Sequence, residues 1–298
     1  MSEQPYGNDQ GTRLYWLNDN IFVYAALKAH GTESDGLLAD KIHERIIEFA
    51  RMLNLSRYED GFPKLGIHEV ILGYPIMLPL PCFSSHILNM SGYRLGFVIA
   101  NGTREHECVL EDFNGFADMI LYQSLAAFYA GDLNESLSRF QDAVKMWDGN
   151  GIADGSFRDP SDPQYLRYAT YKLALLLYVS QKLNQSLPFS NQINQTIWNM
   201  QAYNGGIITN YLGTNIPLGV VNTETTALVV LADPAQANQT TQTTTTTSSL
   251  MAPTWLVTIS TYLETLIALA VILVILNLTL LVTLIRRRTR QASQPKAV

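Results

Sequence analysis

Two carboxylates flank one glycine-rich turn near the middle of the chain, where the sequence reads "WDGNGIADGSF" from Trp147 to Phe157. Asp148 and Asp154 stand at either end of that turn. Two carboxyl groups about 5 to 10 Å apart can hydrolyse a glycosidic bond, one as the general acid and the other as base or nucleophile. Asp beside Gly is also ordinary turn chemistry, because its side chain accepts hydrogen bonds from its own backbone. Both interpretations stay open.

Aromatic residues near turns and helix starts form a second group of interest. Rings that line a concave surface stack on the apolar faces of sugars or contact peptide side chains. The same rings, packed beneath the turns, would be ordinary core. The predicted binding residues are Trp16, Tyr58, Trp147 and Tyr203.

Histidines and cysteines give no metal signature in this sequence. It contains no HExxH, no CxxC and no ligand pair at helical spacing, so we predict neither a metal nor a cofactor. The two cysteines are Cys82 and Cys108. Outside a cell such a pair favours a disulfide, worth roughly 3 kcal/mol by the chain-entropy argument. Two buried thiols are the alternative.

Hydrophobic periodicity predicts that strongly buried helices alternate with amphipathic ones. "LYWLNDNIFVYAALKAHG" is apolar around most of its circumference, and the following "DGLLADKIHERIIEFARMLN" has one apolar stripe. The same pairing recurs twice, and each pair ends near an aromatic-glycine turn that includes Tyr58, Trp147 or Tyr203. A fourth round begins with "NTETTALVVLA" at residues 222–232 and stops at Pro234. This repetition predicts a curved layer of αα-hairpins.

Residues 63–113 interrupt this alternation with a different pattern. The stretch "YRLGFVIANGTREHECVLEDF" predicts a β-hairpin that turns at Asn101-Gly102, where a positive φ suits a type I′ turn. We therefore expect a small β-insertion within a mainly helical domain.

This pattern resembles the α/α-toroid proteins, which include the six-hairpin glycosidases and the terpenoid cyclase and prenyltransferase repeats. The closest likeness is "YNGGIITNY" before "NTETTALVVLA", since a glycine turn of this kind precedes an inner helix in those families. The resemblance covers about residues 12–232 and implies inner apolar helices with outer amphipathic partners. The chain carries three and a half hairpins, fewer than a closed toroid, so we expect an incomplete one.

The resemblance also implies where acids would act. In toroid glycosidases they lie at the ends of inner helices and in the adjoining loops. Comparable positions here are occupied by Asp19, Asp112, Asp118, Asp148, Asp154 and Glu224. From these the predicted catalytic residues are the pair Asp148 and Asp154, with Asp19 or Glu224. Glu224 would equally be a charge placed favourably against a helix dipole.

One C-terminal segment predicts a membrane anchor. "LIALAVILVILNLTLLVTLI", Leu266 to Ile285, holds no charged residue and would span roughly 30 Å as a helix, the thickness of the hydrocarbon core. Residues 286–298 hold five basic residues and no acidic one, which predicts a cytoplasmic tail and an outside body. The rest carries 15 basic against 26 acidic residues, a balance that argues against nucleic-acid binding.

Two further features favour an outside location. Residues 234–254 are rich in Thr, Gln, Ser and Pro, which predicts a flexible stalk, O-glycosylated if it lies outside. Asn-X-Ser/Thr acceptor triplets begin at Asn54, Asn89, Asn101, Asn134, Asn184, Asn194 and Asn238. Sequons, stalk and single span together resemble archaeal cell-surface proteins. No apolar leader follows Met1, so a tail-anchored protein with a cytoplasmic body is the alternative.

The expected organisation is therefore an α-helical domain at 1–233, a stalk at 234–254, a transmembrane helix at 255–285 and a basic tail at 286–298. The first functional hypothesis is a glycosylated cell-surface protein with a non-catalytic role, either binding a glycan or surface-protein partner or shaping the envelope. The second is a membrane-anchored, glycosidase-like enzyme of the toroid class.

Overall fold

Buried helices alternate with amphipathic ones along the part of the chain that the computed structural model describes, residues 13–76, 82–90, 93–101, 114–213 and 215–233. The α-helices are α1 Leu17–His30, α2 Glu33–Met52, α3 Ala117–Tyr129, α4 Leu133–Val144, α5 Gly155–Arg158, α6 Thr170–Lys182, α7 Ser190–Asn199 and α8 Thr223–Leu231. A 3₁₀ helix covers His68–Leu72.

Helices α1, α3, α6 and α8 form the buried layer. They are apolar around most of their circumference, so each can be covered on several sides. The amphipathic helices bury one stripe each; in α2 that stripe includes Ala39, Ile46 and Ala50. Helix α2 packs on α1, α4 on α3 and α7 on α6, while α8 packs between α6 and α1. No amphipathic helix follows α8 within the described residues.

The buried helices run in the same direction where their contacts can be compared. Near the C-terminal ends of α6 and α8, Gln181 Nε2 donates to the Ala232 carbonyl at 2.9 Å. At the opposite ends of the same two helices, Tyr171 and Glu224 line one cavity. In α1 and α3, the rings of Phe22 and Tyr122 stack with centroids 6.4 Å apart. Asp19, Asp118 and Glu224, each in the first turn of its helix, all act on Tyr122, and Tyr171 at the start of α6 donates to Asp118. The N-termini of the four buried helices therefore lie at one end of the layer.

The first sheet contains β1 Arg13–Trp16, β2 Cys82–Met90 and β3 Tyr93–Asn101 in the order β1-β3-β2. Strand β1 is parallel to β3, and β2 is antiparallel to it with Met90 opposite Tyr93. The expected strand before Asn101 is confirmed, but its described partner, β2, precedes it in the chain. The segment expected to pair after the Asn101-Gly102 turn lies outside the described residues.

A second sheet, β4 Tyr168–Ala169, β5 Ile208–Leu212 and β6 Ile216–Val221, is antiparallel in the order β4-β5-β6. The hydrophobic periodicity did not predict it. Strand β4 continues directly into α6, and only Asn222 separates β6 from α8. Asn222 caps α8 by accepting a hydrogen bond from the Thr225 amide at 2.8 Å. The sheet therefore holds the first turns of α6 and α8 close to each other.

About half of the described residues are helical, and the remainder includes two small three-stranded sheets. The expectation of a helical domain with a β-excursion is confirmed at this level, with more strand than expected. Within the described ranges, no helix has the length and apolar character needed to cross a bilayer. The predicted span, stalk and tail and the side chains of both cysteines lie outside what the structure describes, so those assignments stay predictions.

Candidate functional site

A polar cavity of about 360 Å³ opens where α6 and α8 begin. Amide and hydroxyl side chains make up most of its wall, and Glu224 is the one carboxylate among the lining residues. No lysine, arginine or histidine is among them. The wall consists of Gln164, Tyr171, Thr209, Asn210, Val220, Asn222, Glu224 and Thr225.

The second sheet brings these side chains together. Thr209 and Asn210 belong to β5, Val220 belongs to β6, and both strands meet the first turn of α8. Gly219 permits the close approach of β6, because a Cβ there would lie 2.5 Å from Thr209 Oγ1 and the backbone φ is +100°. The cavity is therefore a product of sheet pairing, with helix starts supplying Tyr171 and Glu224.

Two buried oxygen atoms in the wall have no hydrogen-bond partner among the residues that the structure describes. They are Gln164 Oε1 and Thr225 Oγ1, and Thr225 is fully buried. Buried polar atoms are almost always paired, because an unpaired one costs about 1–3 kcal/mol. Both atoms are almost inaccessible to solvent. Close by, Leu166 has a positive φ of 57°, a strained conformation of the kind that clusters at functional sites.

Beneath the cavity, carboxylates from the starts of three buried helices lie around two tyrosines. Tyr171 donates to Asp118 Oδ2 at 2.8 Å. Burial raises the pKa of Tyr171 well above its usual value, helped by the charges of Asp118 and Glu224. Burial likewise raises the pKa of Tyr122, with contributions from Glu224, Asp118 and Asp19. Both phenols therefore stay protonated, and Asp19, Asp118 and Glu224 share one electrostatic environment.

Asp154 is a structural residue in this arrangement. It is 2 % exposed and accepts from the Ala117 amide at 3.0 Å, which fixes the start of α3. Lys172 Nζ lies 2.5 Å from Asp154 Oδ2 and 3.9 Å from Asp118 Oδ1. Burial opposes the charge of Lys172, but the carboxylates of Asp118 and Asp154 outweigh it and raise its pKa. Asp154 is thus neutralised by an ion pair and does not line the cavity.

Asp148 completes its own turn. Its Oδ1 accepts from the amides of Asn150 at 2.9 Å and Gly151 at 3.1 Å, and its Oδ2 accepts from the Tyr168 hydroxyl at 2.6 Å. Partial burial works against its charge, but these hydrogen bonds lower its pKa overall. The turn interpretation of Asp148 accounts for the two backbone contacts, and the Tyr168 hydroxyl from the start of β4 adds a third partner. The structure therefore brings Asp19 and Glu224 towards one site and leaves Asp148 in a different role.

The four predicted aromatic residues do not line the cavity. Trp147 stacks on Phe189 with centroids 4.6 Å apart, and Tyr58 stacks on Tyr74 at 3.9 Å. Trp16 covers Gly96, where an added Cβ would come within 2.8 Å of the indole. Tyr203 is fully exposed. Three of the four are packing residues.

The predicted site residues did not include most of the residues that line the polar cavity. Tyr171 and Gln164 lie in a segment that carried no motif. Asn210 belongs to the "YNGGIITNY" turn, but neither it nor Lys172 was singled out. One signal was available, since Lys172 is a lone charge inside the otherwise apolar run "YKLALLLYV". A buried lysine requires a carboxylate partner, so it pointed to an ion pair.

The predicted glycan acceptors differ in accessibility. Asn54, Asn89, Asn134 and Asn184 are exposed. Asn194 is half-buried, and Thr196 of the same triplet is 1 % exposed and donates to Asn215 Oδ1 at 3.0 Å. The side chains of Asn101 and Asn238 lie outside the described residues.

No group of three His, Cys, Asp or Glu side chains within the described ranges is placed to hold a metal ion. No protein-family model, no curated protein and no solved structure matches this chain.

Proposed function

We propose that this chain is a membrane-anchored, glycosylated cell-surface protein whose ectodomain binds a neutral glycan without cleaving it. The ligand site is the polar cavity at the starts of α6 and α8. The ectodomain is an incomplete α/α-toroid, an assignment supported by the buried parallel helices and their amphipathic partners.

The observation that carries this proposal is the chemistry of the cavity wall. Three amide side chains and three hydroxyls surround a space of about 360 Å³. Such groups both donate and accept hydrogen bonds, as neutral sugars require. A phosphate or sulfate would meet Glu224 with no basic side chain in the wall to compensate.

Non-catalytic binding is favoured because the four predicted acids do not form a glycosidase pair in the cavity. Hydrolysis uses two carboxyl groups on opposite sides of the scissile bond. Asp148 is bound within its turn and Asp154 is paired with Lys172, which leaves Glu224 as the lining carboxylate. A single carboxylate can orient a sugar by accepting from two hydroxyls.

The membrane and surface assignments rest on sequence. Leu266 to Ile285 has the length and hydropathy of a transmembrane helix, and the basic residues after it favour a cytoplasmic tail. The Thr-rich stalk and the exposed acceptor triplets support placement of the ectodomain outside the cell.

The glycosidase hypothesis is the second candidate, and one observation favours it. Asp19 and Asp118 act on the same Tyr122 hydroxyl as Glu224, so further carboxylates lie near the cavity. Asp118 is also hydrogen-bonded to Tyr171, a residue of the cavity wall. A ligand that reached Asp118 as well as Glu224 would contact two acids.

A glycan array with the full chain in lipid nanodiscs tests the proposal. We expect binding to neutral glycans, with at least tenfold weaker binding for Glu224→Gln and Asn210→Ala. Glu44→Gln, which removes an exposed carboxylate on α2, is the matched control. Binding that both cavity variants leave intact would contradict the assignment. Release of reducing sugar by the native chain, abolished by Glu224→Gln, would favour the enzyme instead.

A further inference from the structure

A second cavity, whose lining is mostly apolar, lies between α2 and the first sheet. Its volume is about 530 Å³. One wall is the apolar stripe of α2, from Leu38 to Phe49, and the other comes from β1, the start of α1 and β3. Along α2 these positions span roughly 17 Å at 1.5 Å per residue. We call this space the α2 groove.

The floor of the α2 groove is a hydrophobic core. Leu17, Ile46 and Leu95 lie in it and are each at most 2 % exposed. Tyr15 and Tyr93 meet edge to face with centroids 5.5 Å apart and form one side. Leu38, at the mouth, is 41 % exposed. A continuous apolar surface thus runs from the interior to solvent, which is uncommon unless something binds there.

The charges at the groove have one sign. Lys41 and Arg45 are the charged residues that line it, and both are basic. They lie four residues apart on α2, so they face the same side of the helix. Lys41 forms no ion pair with any residue that the structure describes. Arg45 pairs with Glu48 at 2.5 Å, but both side chains are more than 60 % exposed, so this pair is weak and exchangeable.

This local positive charge contrasts with the rest of the protein. Before residue 286 the chain carries 15 basic and 26 acidic residues. Two basic side chains with no acid among the lining residues are therefore a feature of the groove itself. They would attract an anionic group to one edge of an otherwise apolar channel.

The residues that line the α2 groove favour a lipid chain over a peptide as the ligand. A peptide backbone carries amide and carbonyl groups that need partners when they are buried. Apart from Lys41 and Arg45, the wall offers them the Asn20 side chain and two tyrosines, and Asn20 already donates to the Trp16 carbonyl at 2.6 Å. A polymethylene chain needs no partner and gains free energy for each CH₂ group that it buries.

We propose that the α2 groove binds a single-chain aliphatic carboxylate, with its chain on Leu17, Ile46 and Leu95 and its carboxylate between Lys41 and Arg45. This ligand class differs from the neutral glycan assigned to the polar cavity, and the two proposals rest on separate residues. Burial of the chain supplies the affinity, and the two basic side chains select the acid over uncharged chains.

Photo-crosslinking of the full chain tests whether the α2 groove binds an aliphatic carboxylate. The native protein in neutral-lipid nanodiscs is irradiated with a diazirine analogue of palmitate, and labelled peptides are mapped by mass spectrometry. Labelling of the predicted span at 266–285 reports probe dissolved in the bilayer and serves as the internal reference. We expect label on residues 38–49 above the level on α4 and α7. A diazirine analogue of hexadecanol should label that stretch several-fold less.

Two double variants separate the contribution of the ligand carboxylate to binding from any effect on folding. Lys41→Gln with Arg45→Gln should lower palmitate labelling of residues 38–49 at least fivefold and leave labelling by the alcohol unchanged. Arg139→Gln with Lys145→Gln, the same charge change on α4, should change neither. Label on residues 38–49 no higher than on α4 would overturn the proposal. Equal labelling by acid and alcohol, or by native and Gln variants, would overturn it as well.

Discussion

The hydroxyl of Tyr171 donates a 2.8 Å hydrogen bond to Asp118 Oδ2, which joins the first turn of α6 to the first turn of α3. Tyr171 also forms part of the polar cavity wall, so this bond connects the candidate site to the carboxylates beneath it. The orientation of the phenol in the wall is thus set by a residue outside the wall.

Tyr171→Phe should weaken both stability and glycan binding. Asp118 would lose its hydroxyl donor while staying buried, which costs about 1–3 kcal/mol. The expected result is a lower free energy of unfolding, measured by urea denaturation, with binding reduced on the glycan array. Tyr165→Phe is the matched control, because Tyr165 is 41 % exposed. Unchanged stability for Tyr171→Phe would mean that the bond to Asp118 contributes little.

Lys172→Met should be strongly destabilising. It would leave Asp154, which is 2 % exposed, without the ammonium group now 2.5 Å away. Removing one partner of a buried ion pair typically costs about 3–5 kcal/mol. Lys145→Met is the control, because its pair with Asp142 is exposed and should be worth under about 1 kcal/mol. Adding Asp154→Asn to Lys172→Met should recover part of the loss, and a double variant that is no better would contradict this account.

Stability should fall in mild acid because of His68. Burial lowers the pKa of His68 to about 4, against the opposing charge of Asp118. In the unfolded chain this histidine binds its proton near pH 6.5. Between about pH 6.5 and 4 the unfolded chain therefore binds more protons than the folded chain, and the folded state loses stability as the pH is lowered. The largest contribution is about 3 kcal/mol. His68→Gln should flatten this part of the curve, measured as unfolding free energy at several pH values.

Two glycine substitutions should have opposite effects. Gly36→Ala lies in α2 with no atom within 4 Å of the new Cβ, so it should stabilise the domain by about 0.5–1 kcal/mol through helix propensity. Gly151→Ala would place a Cβ 2.4 Å from the Tyr168 ring and from the Tyr211 hydroxyl. Overpacking of that kind costs about 1–3 kcal/mol. Thermal unfolding of both variants checks the signs, and a neutral Gly151→Ala would show that the tyrosines move aside.

Glycan occupancy should differ among the acceptor triplets if the helical domain is glycosylated after it folds. Asn54, Asn89, Asn134 and Asn184 are exposed, whereas the hydroxyl of Thr196 is buried in a bond to Asn215. We expect the four exposed sites to be modified and Asn194 to be modified least, measured by glycopeptide mass spectrometry. Full occupancy at Asn194 would indicate that modification precedes folding of α7.

The helical part of the fold was predictable because its signal is local. The apolar circumference of α1, α3 and α6 and the single stripes of α2, α4 and α7 are visible in windows of a dozen residues. Asn222 was likewise recognisable as a helix cap from its place before an apolar run.

Two features hid the second sheet from the hydrophobic pattern. One of its pairings joins distant residues, and the local hairpin of β5 and β6 carries Pro217 and Gly219 in β6 and an irregular register. Tyr168 pairs with Tyr211, more than forty residues later, and β4 is only two residues long. Most of the polar cavity depends on that sheet. The sequence therefore pointed to Glu224 at a helix start but not to Thr209 or Asn210. For Asp148, the turn chemistry that competed with catalysis describes the contacts that the residue makes.

The packing of α1 against α8 has a consequence for the order in which the chain folds. These helices are separated by roughly two hundred residues, while α3 and α4 are neighbours in sequence. Local pairs form quickly, whereas contacts between distant segments must first overcome the entropy of closing a long loop. During synthesis, α1 must wait until α8 has left the ribosome before that contact can form. The polar cavity, whose wall includes the first turn of α8, is accordingly among the last parts of the domain to be completed.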